Sequence, residues 1–287
     1  IWYRLGMWRD SLEANRRAVA ADEVQIARGG ASPLYAEGYY AHNVHFVMTS
    51  ALMGGDGRTA IEAAQKLATL ISEGAQRAFP GLTHPVVAAP YLAHSRFSPP
   101  EAVLALPAPS EDFPFVRAHW HYARGEALAR LRRPAEARTE AAAIGELAQA
   151  PGIAELAQQG VPAAEVLAIA AQVVQARAAQ AEGDHARAAA LFAEAAAVQD
   201  RLPYMEPPFW YYPVHQSLGA ALLAQGLPDQ AEAAFQEALR RTPNNGWAAV
   251  GLLRAAEARG DAEAAASARA MLERSWFGDS LPQPGWL

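Results

Sequence analysis

The stretch 209–246, FWYYPVHQSLGAALLAQGLPDQAEAAFQEALRRTPNNG, reads as two amphipathic helices joined by a turn. Its turn glycine, Gly226, recurs as Gly260, 34 residues later. A fixed period of that length in a helix–turn–helix pattern restricts the chain to stacked hairpins, because one hairpin cannot bury its apolar stripe alone. Leu218, Gly219 and Leu222 share one face of the first helix. Ala231, Phe235 and Ala238 form the facing stripe of the second, and Pro243 stops it. Gly219 and Ala231 set the approach, since the distance between two helices follows the size of the side chains at their contact.

Composition agrees with packed helices. The chain of 287 residues is 52% hydrophobic and 19% charged, with alanine dominant. No run of apolar residues reaches the length of a membrane span. Net charge is −6 with the two signs mixed along the chain, which argues against a nucleic-acid partner, because phosphate binding needs a concentrated basic face. The absence of cysteine removes disulfides, thiolate metal sites and thiol nucleophiles. Lys66 is the only lysine. That arginine and alanine bias points to a GC-rich bacterial genome and leaves cytoplasm and periplasm both open for a soluble protein. The chain begins at Ile1 with no signal peptide in view, and residues 1–5 read as the tail of a helix, so the expectation is a fragment of a longer chain.

The same rhythm runs elsewhere. The segment 12–23 reads as the second helix of an opening half repeat, closed by the breakers of 27–40. Helices over 41–53 and 59–76 meet at the turn GGDG. A weaker hairpin covers 84–97 and 99–106, where Pro90 predicts a kinked or split first helix. Asp112 is a candidate cap for the next unit, 115–131 with 134–150. Its Gly125, Leu128 and His121 lie 94 residues before Gly219, Leu222 and His215. Helices at 162–183 and 186–200 form a further pair, and 246–260 with 262–275 a last one. A Pro- and aromatic-rich insertion, 201–212, lengthens the spacing before the reference repeat.

These repeats resemble the tetratricopeptide repeat (TPR) family, strongly around 214–260 and more loosely elsewhere. The resemblance implies an all-α, right-handed α-solenoid of about six to seven hairpins, several of them degenerate. Residues 1–287 then form a single solenoid, with 1–27 a half repeat, 201–212 an insertion and 276–287 a C-terminal cap over the last helix. It also implies that the first helix of each pair lines a concave groove, through its second, fifth, ninth, twelfth and thirteenth positions. That phase places His42, His45 and Thr49 in the groove from one unit and His119, Tyr122, Glu126 and Arg130 from another. Arg96, Arg177 and Arg254 reach it from the rest, about one arginine per unit.

Four arginines on one side suit an acidic peptide or a small anion, because a guanidinium fork binds a carboxylate in paired hydrogen bonds. The plainer reading pairs each with a nearby acid such as Glu126 or Glu257. His42 and His45, at i and i+3, are spaced for a transition metal (Zn, Fe or Cu), given a third ligand such as His84. The segment AHNVHF is also similar to a group of bacterial TPR proteins with a PHNxHF-like motif, Ala41 standing where that group has proline. His121 and His215, at one phase of two repeats, are expected to pack between helices. The aromatics of 201–212 serve either as a lid on a ligand or as a plug, the plug being the simpler reading. GGDG lacks the strand and lysine of a phosphate loop, and no nucleophile elbow or zinc-protease signature is present. The expected function is a protein that holds a peptide, protein or small anionic partner in its groove. The alternatives are a metalloprotein or metal-dependent enzyme using His42 and His45, and a bare scaffold.

Overall fold

A computed structural model describes residues 1–287, the side chain of Pro284 apart. Fifteen α-helices follow one another, with no strand among the described residues. The chain opens with α1 (Trp8–Ala27) and a π-helical turn (Leu34–Tyr39), which runs directly into α2 (Tyr40–Gly54) and then α3 (Gly57–Leu70). The short α4 (Glu73–Ala78) leads to α5 (Pro80–Phe97) and the stub α6 (Pro100–Leu104). Next come α7 (Pro114–Arg130), α8 (Pro134–Leu147), α9 (Pro151–Gln158), α10 (Ala163–Glu182) and α11 (His185–Gln199). After the insertion, α12 (Val214–Ala224), α13 (Pro228–Arg241), α14 (Gly246–Arg259) and α15 (Ala262–Ser275) complete the array. Apart from the short α4, α6 and α9, each helix packs chiefly on the long helices before and after it, as a solenoid of hairpins requires.

The turns show why these residues form these hairpins. Gly55, Gly183 and Gly260 end α2, α10 and α14 in the left-handed conformation. The aspartate after each, at positions 56, 184 and 261, then caps the next helix by accepting an N–H three residues on. Where that aspartate is missing, proline opens the second helix, at Pro134 and Pro228. Inside the reference hairpin one ring replaces two side chains. A Cβ on Gly219 would stand 2.6 Å from Phe235, and one on Gly251 of the following hairpin 2.2 Å from it.

Four details differ from the sequence reading. Helix α5 is continuous through Pro85 and Pro90, because buried Ala88, Ala89, Leu92 and Ala93 hold it against its neighbours on both sides of the missing N–H. The helix expected over 59–76 breaks after Leu70, and Ser72 caps a new turn, α4. Asp112 pairs with Arg77 at 2.6 Å, and Phe113 occupies the cap position of α7. Residues 2–6 form turns that bury Tyr3, where a helix tail was expected.

The largest correction concerns the end of the array. Trp276 and Phe277 were expected to cap an exposed last helix. They cross instead to the first full hairpin. The Phe277 N–H donates to Gly54 O at 2.9 Å, and the rings of Phe277 and Trp276 press on Gly54 and Gly55, leaving no room for a Cβ. The Trp247 indole donates to Leu52 O at 3.1 Å and that of Trp8 to Asn244 O at 2.8 Å. Helix α14 therefore packs on α2. The solenoid closes on itself, with α2, α5, α7, α10, α12 and α14 around a shared hollow. The physical reason is burial: two open ends of an apolar stack cover each other.

Candidate functional site

The hollow is filled from two directions. On one side the insertion turns inward and buries Phe209, Trp210, Tyr211 and Tyr212. The Tyr211 hydroxyl is hydrogen-bonded to His45 Nε2, and the Tyr212 hydroxyl lies 3.2 Å from that of Tyr122. Trp210 meets Tyr122 edge-on, with ring centres 5.1 Å apart. These aromatics form a plug, with Tyr204 alone of the group's rings largely exposed. On the other side the chain beyond α15 re-enters the hollow through a 3-10 turn, Pro284–Trp286, packed on α12 and α14.

Beside the tail lies a cavity of about 650 Å³, lined by Arg58, Arg96 and Arg130, by the carboxylates Glu62, Glu126 and Asp279, and by Phe97, Trp247, Trp276 and Trp286. Arg96 stacks over Tyr212 at 3.9 Å and over Trp247 at 5.2 Å, and donates through Nη1 to Trp286 O at 2.8 Å. Its other terminal nitrogen, Nη2, is buried with no partner. Arg130 donates to Ser98 O at 3.0 Å. Arg58 is exposed at the rim with Asp279 and Ser280. Among the described residues none of these three arginines pairs with a carboxylate at 4.0 Å or less.

Arg177 and Glu126 form a buried pair at the cavity wall, which Glu126 helps to line. The Arg177 Nε lies 3.3 Å from Glu126 Oε1, and its side chain is 0% exposed. Glu126 also accepts from Tyr122 at 3.4 Å. This is the plain acid–base pairing, and Arg254, exposed and bonded to Glu257 at 3.0 Å, shows it as well. Arg254 thus stands outside the hollow and Arg177 within it. Thr49 is fully buried and His119 almost so. The His119 Nδ1–H donates to Phe115 O at 2.9 Å, and burial pushes its pKa down to about 4. Both residues are part of the packing between helices and present nothing to the cavity.

The two histidines of α2 separate. His42 is exposed and stacks on Phe46, with ring centres 4.8 Å apart, whereas His45 is buried under Tyr211. Burial, reinforced by the neighbouring His42, pushes the His45 pKa down to about 3. His84 packs against Phe113, at 5.3 Å between ring centres. Among the described residues no third His, Cys, Asp or Glu joins His42 and His45 within ligand distance. The three ligand-type side chains that do converge are Asp200, His215 and Glu237. Arg241 already occupies that position, 2.9 Å from Asp200 and 2.6 Å from Glu237. With Arg240 first, the arginines hold the Glu237 carboxyl at a pKa of about 2. His121, bonded to Glu140 at 2.5 Å, and His215, bonded to Asp200 at 3.1 Å, pack between helices as their shared phase implies.

Of the residues that the repeat phase assigned to the groove, Arg96, Glu126 and Arg130 line the cavity and Arg177 lies beside it; Arg58, Ser217, the tryptophans and the tail were not assigned. Arg58 and the tail lie outside any first helix, so a count along first helices passes over them. Only ring closure brings them to the hollow.

No family model matches this sequence, and no curated protein matches it. Among solved structures, the crystal structure of yeast Tom70 is similar, with a TM-score of 0.42 and 16% sequence identity, over 92% of this chain and 55% of that one. The chain spans about half the length of that protein. No helix here is long and apolar enough to cross a membrane. The order of stacked hairpins makes the protein an all-α, TPR-like solenoid.

Proposed function

We propose that the protein is a binding protein whose central cavity holds a carboxylate-bearing partner, an acidic peptide segment or a small organic anion. The observation that carries this reading is the buried, unpartnered Nη2 of Arg96, in a cavity where Arg58 and Arg130 likewise lack carboxylate partners. A cation with unspent donors in a low-dielectric hollow attracts an anion more strongly than the same cation in water. The rings of Trp247 and Trp276 supply flat apolar walls for the carbon skeleton of the ligand.

The test is calorimetric titration of tetra-glutamate, with tetra-lysine as control. Tetra-glutamate binds, its affinity falls as salt rises, and Arg130→Gln weakens it at least fivefold. Absence of tetra-glutamate binding, or Arg96→Gln and Arg130→Gln variants that bind it as tightly as the unaltered chain, overturns the reading. Metal analysis of untagged protein accompanies it. A stoichiometric transition metal lost in His42→Ala would replace this reading with the metalloprotein one.

A further inference from the structure

The tail is seated in the hollow as a ligand is seated in a site. All three carbonyls of residues 285–287 are taken by side chains of the groove. Gly285 O accepts from Arg177 Nη1 at 3.4 Å and Trp286 O from Arg96 Nη1 at 2.8 Å. Leu287 O accepts from Arg177 Nη2 at 2.8 Å and from Ser217 Oγ at 2.5 Å. The Trp286 ring lies under the Arg177 guanidinium, 5.3 Å from its centre, and Leu287 is 0% exposed among Ala220, Trp247 and Val250.

Arg177 has five N–H donors to satisfy in a fully buried position. Glu126, Gln180 and Ser217 account for three, and the tail carbonyls at 285 and 287 take the others. Without the tail, the interior would hold a cation with unpaired donors beside an empty apolar pocket. Burial of unpaired donors is costly, so the hollow calls for acceptors in that position, which the carbonyls of Gly285 and Leu287 supply.

We infer that residues 279–287 are an internal ligand: the groove recognises a segment that carries an aromatic–aliphatic pair on a 3-10 turn, and a partner bearing such a segment binds by displacing these residues. Main-chain capture by Arg96, Arg177 and Ser217 is independent of sequence, while the Trp286 and Leu287 positions select the side chains. Tethering places the tail at an effective concentration near the millimolar range. A free segment of about 10 µM intrinsic affinity then binds the intact chain roughly 100-fold more weakly. The inference rests on the hollow being a binding site. It adds a second subsite, for apolar main chain, beside the arginine-lined cavity.

The experiment uses the full chain and a fluorescent nonapeptide with the sequence of residues 279–287. In anisotropy titrations the peptide binds the Trp286→Ala/Leu287→Ala chain at micromolar concentration and the unaltered chain at least 50-fold more weakly. Adding Arg96→Gln to the double variant reduces the affinity at least fivefold. Equal affinity for the two chains, or no binding to a folded double variant, overturns the inference. Should the double variant lose its helical circular dichroism, hydrogen exchange on the unaltered chain decides. Amides 285–287 exchange faster when millimolar unlabelled peptide is added, and no change overturns the inference. Tetra-glutamate binding that survives a negative peptide result leaves the cavity reading standing and removes the internal ligand alone. Peptide binding without tetra-glutamate binding does the reverse.

Discussion

Removing the carboxylate of Glu126 tests how the centre of the ring is held together. Its partner Arg177 is 0% exposed and Glu126 itself 6%, so neither charge has water to fall back on. Breaking a buried pair from one side leaves an uncompensated charge and costs about 3–5 kcal/mol. The contact distances here, 3.3 Å to Arg177 and 3.4 Å to Tyr122, are long, which places Glu126→Ala near the lower bound, at about 3 kcal/mol. Glu126→Gln keeps an acceptor in place but leaves the buried Arg177 charge without its counter-ion, and costs about 1.5–3 kcal/mol. Replacing both partners, as Glu126→Leu with Arg177→Met, removes the stranded charge and leaves the lost hydrogen bonds to Gln180 and the tail, about 1–2 kcal/mol. The assay is urea unfolding followed by tryptophan fluorescence, repeated at about 0.1 and 0.5 M NaCl, where a buried pair shows little screening. A thermal scan gives the same ranking at roughly 2 °C per kcal/mol for a chain of this size. A Glu126→Ala cost below about 1 kcal/mol, or a double variant no more stable than Glu126→Ala, refutes the reasoning.

Two further outcomes follow from the seam and from the histidines. Gly54→Val drives a side chain into the Phe277 ring, since even a Cβ would stand 2.0 Å from it. The ring opens, hydrogen exchange rises at residues 1–12 and 276–287, and helices α7, α10 and α11 keep their protection; uniform exchange across the chain would show that the ends are not joined there. His45 is neutral in the fold, with a pKa of about 3 against 6.5 when unfolded. The unfolded chain therefore binds protons first as pH falls, and stability is lost from about pH 6.5 downward, on the order of 2 kcal/mol from this residue at pH 5. His45→Gln flattens that slope in melting temperatures measured from pH 7 to 5. An unchanged slope removes His45 as its source.

The repeats and most hairpin boundaries were legible in the sequence because they depend on short-range chemistry. Gly55–Asp56, Gly183–Asp184 and Gly260–Asp261 each combine a left-handed stop with a capping carboxylate, and both act within a few residues of chain. The 34-residue return of the turn glycine carried the architecture. The same phase put Arg96 and Arg177 on the inner side, where they lie, and Arg254 as well, which is exposed and paired with Glu257.

What a helical period cannot state is the distance between units far apart in sequence. Closure of the ring depends on small per-repeat rotations adding up until Trp247 reaches Leu52 O and Phe277 reaches Gly54. That sum decided that the tail meets Arg96, that Tyr211 covers His45, and that Arg177 meets Leu287 O, contacts more than 100 residues apart in sequence. The sequence by itself determined the stacked hairpins and their turns. Only the tertiary structure decided what fills the space they enclose, because burial of the two open ends is a property of the whole array and of no single repeat.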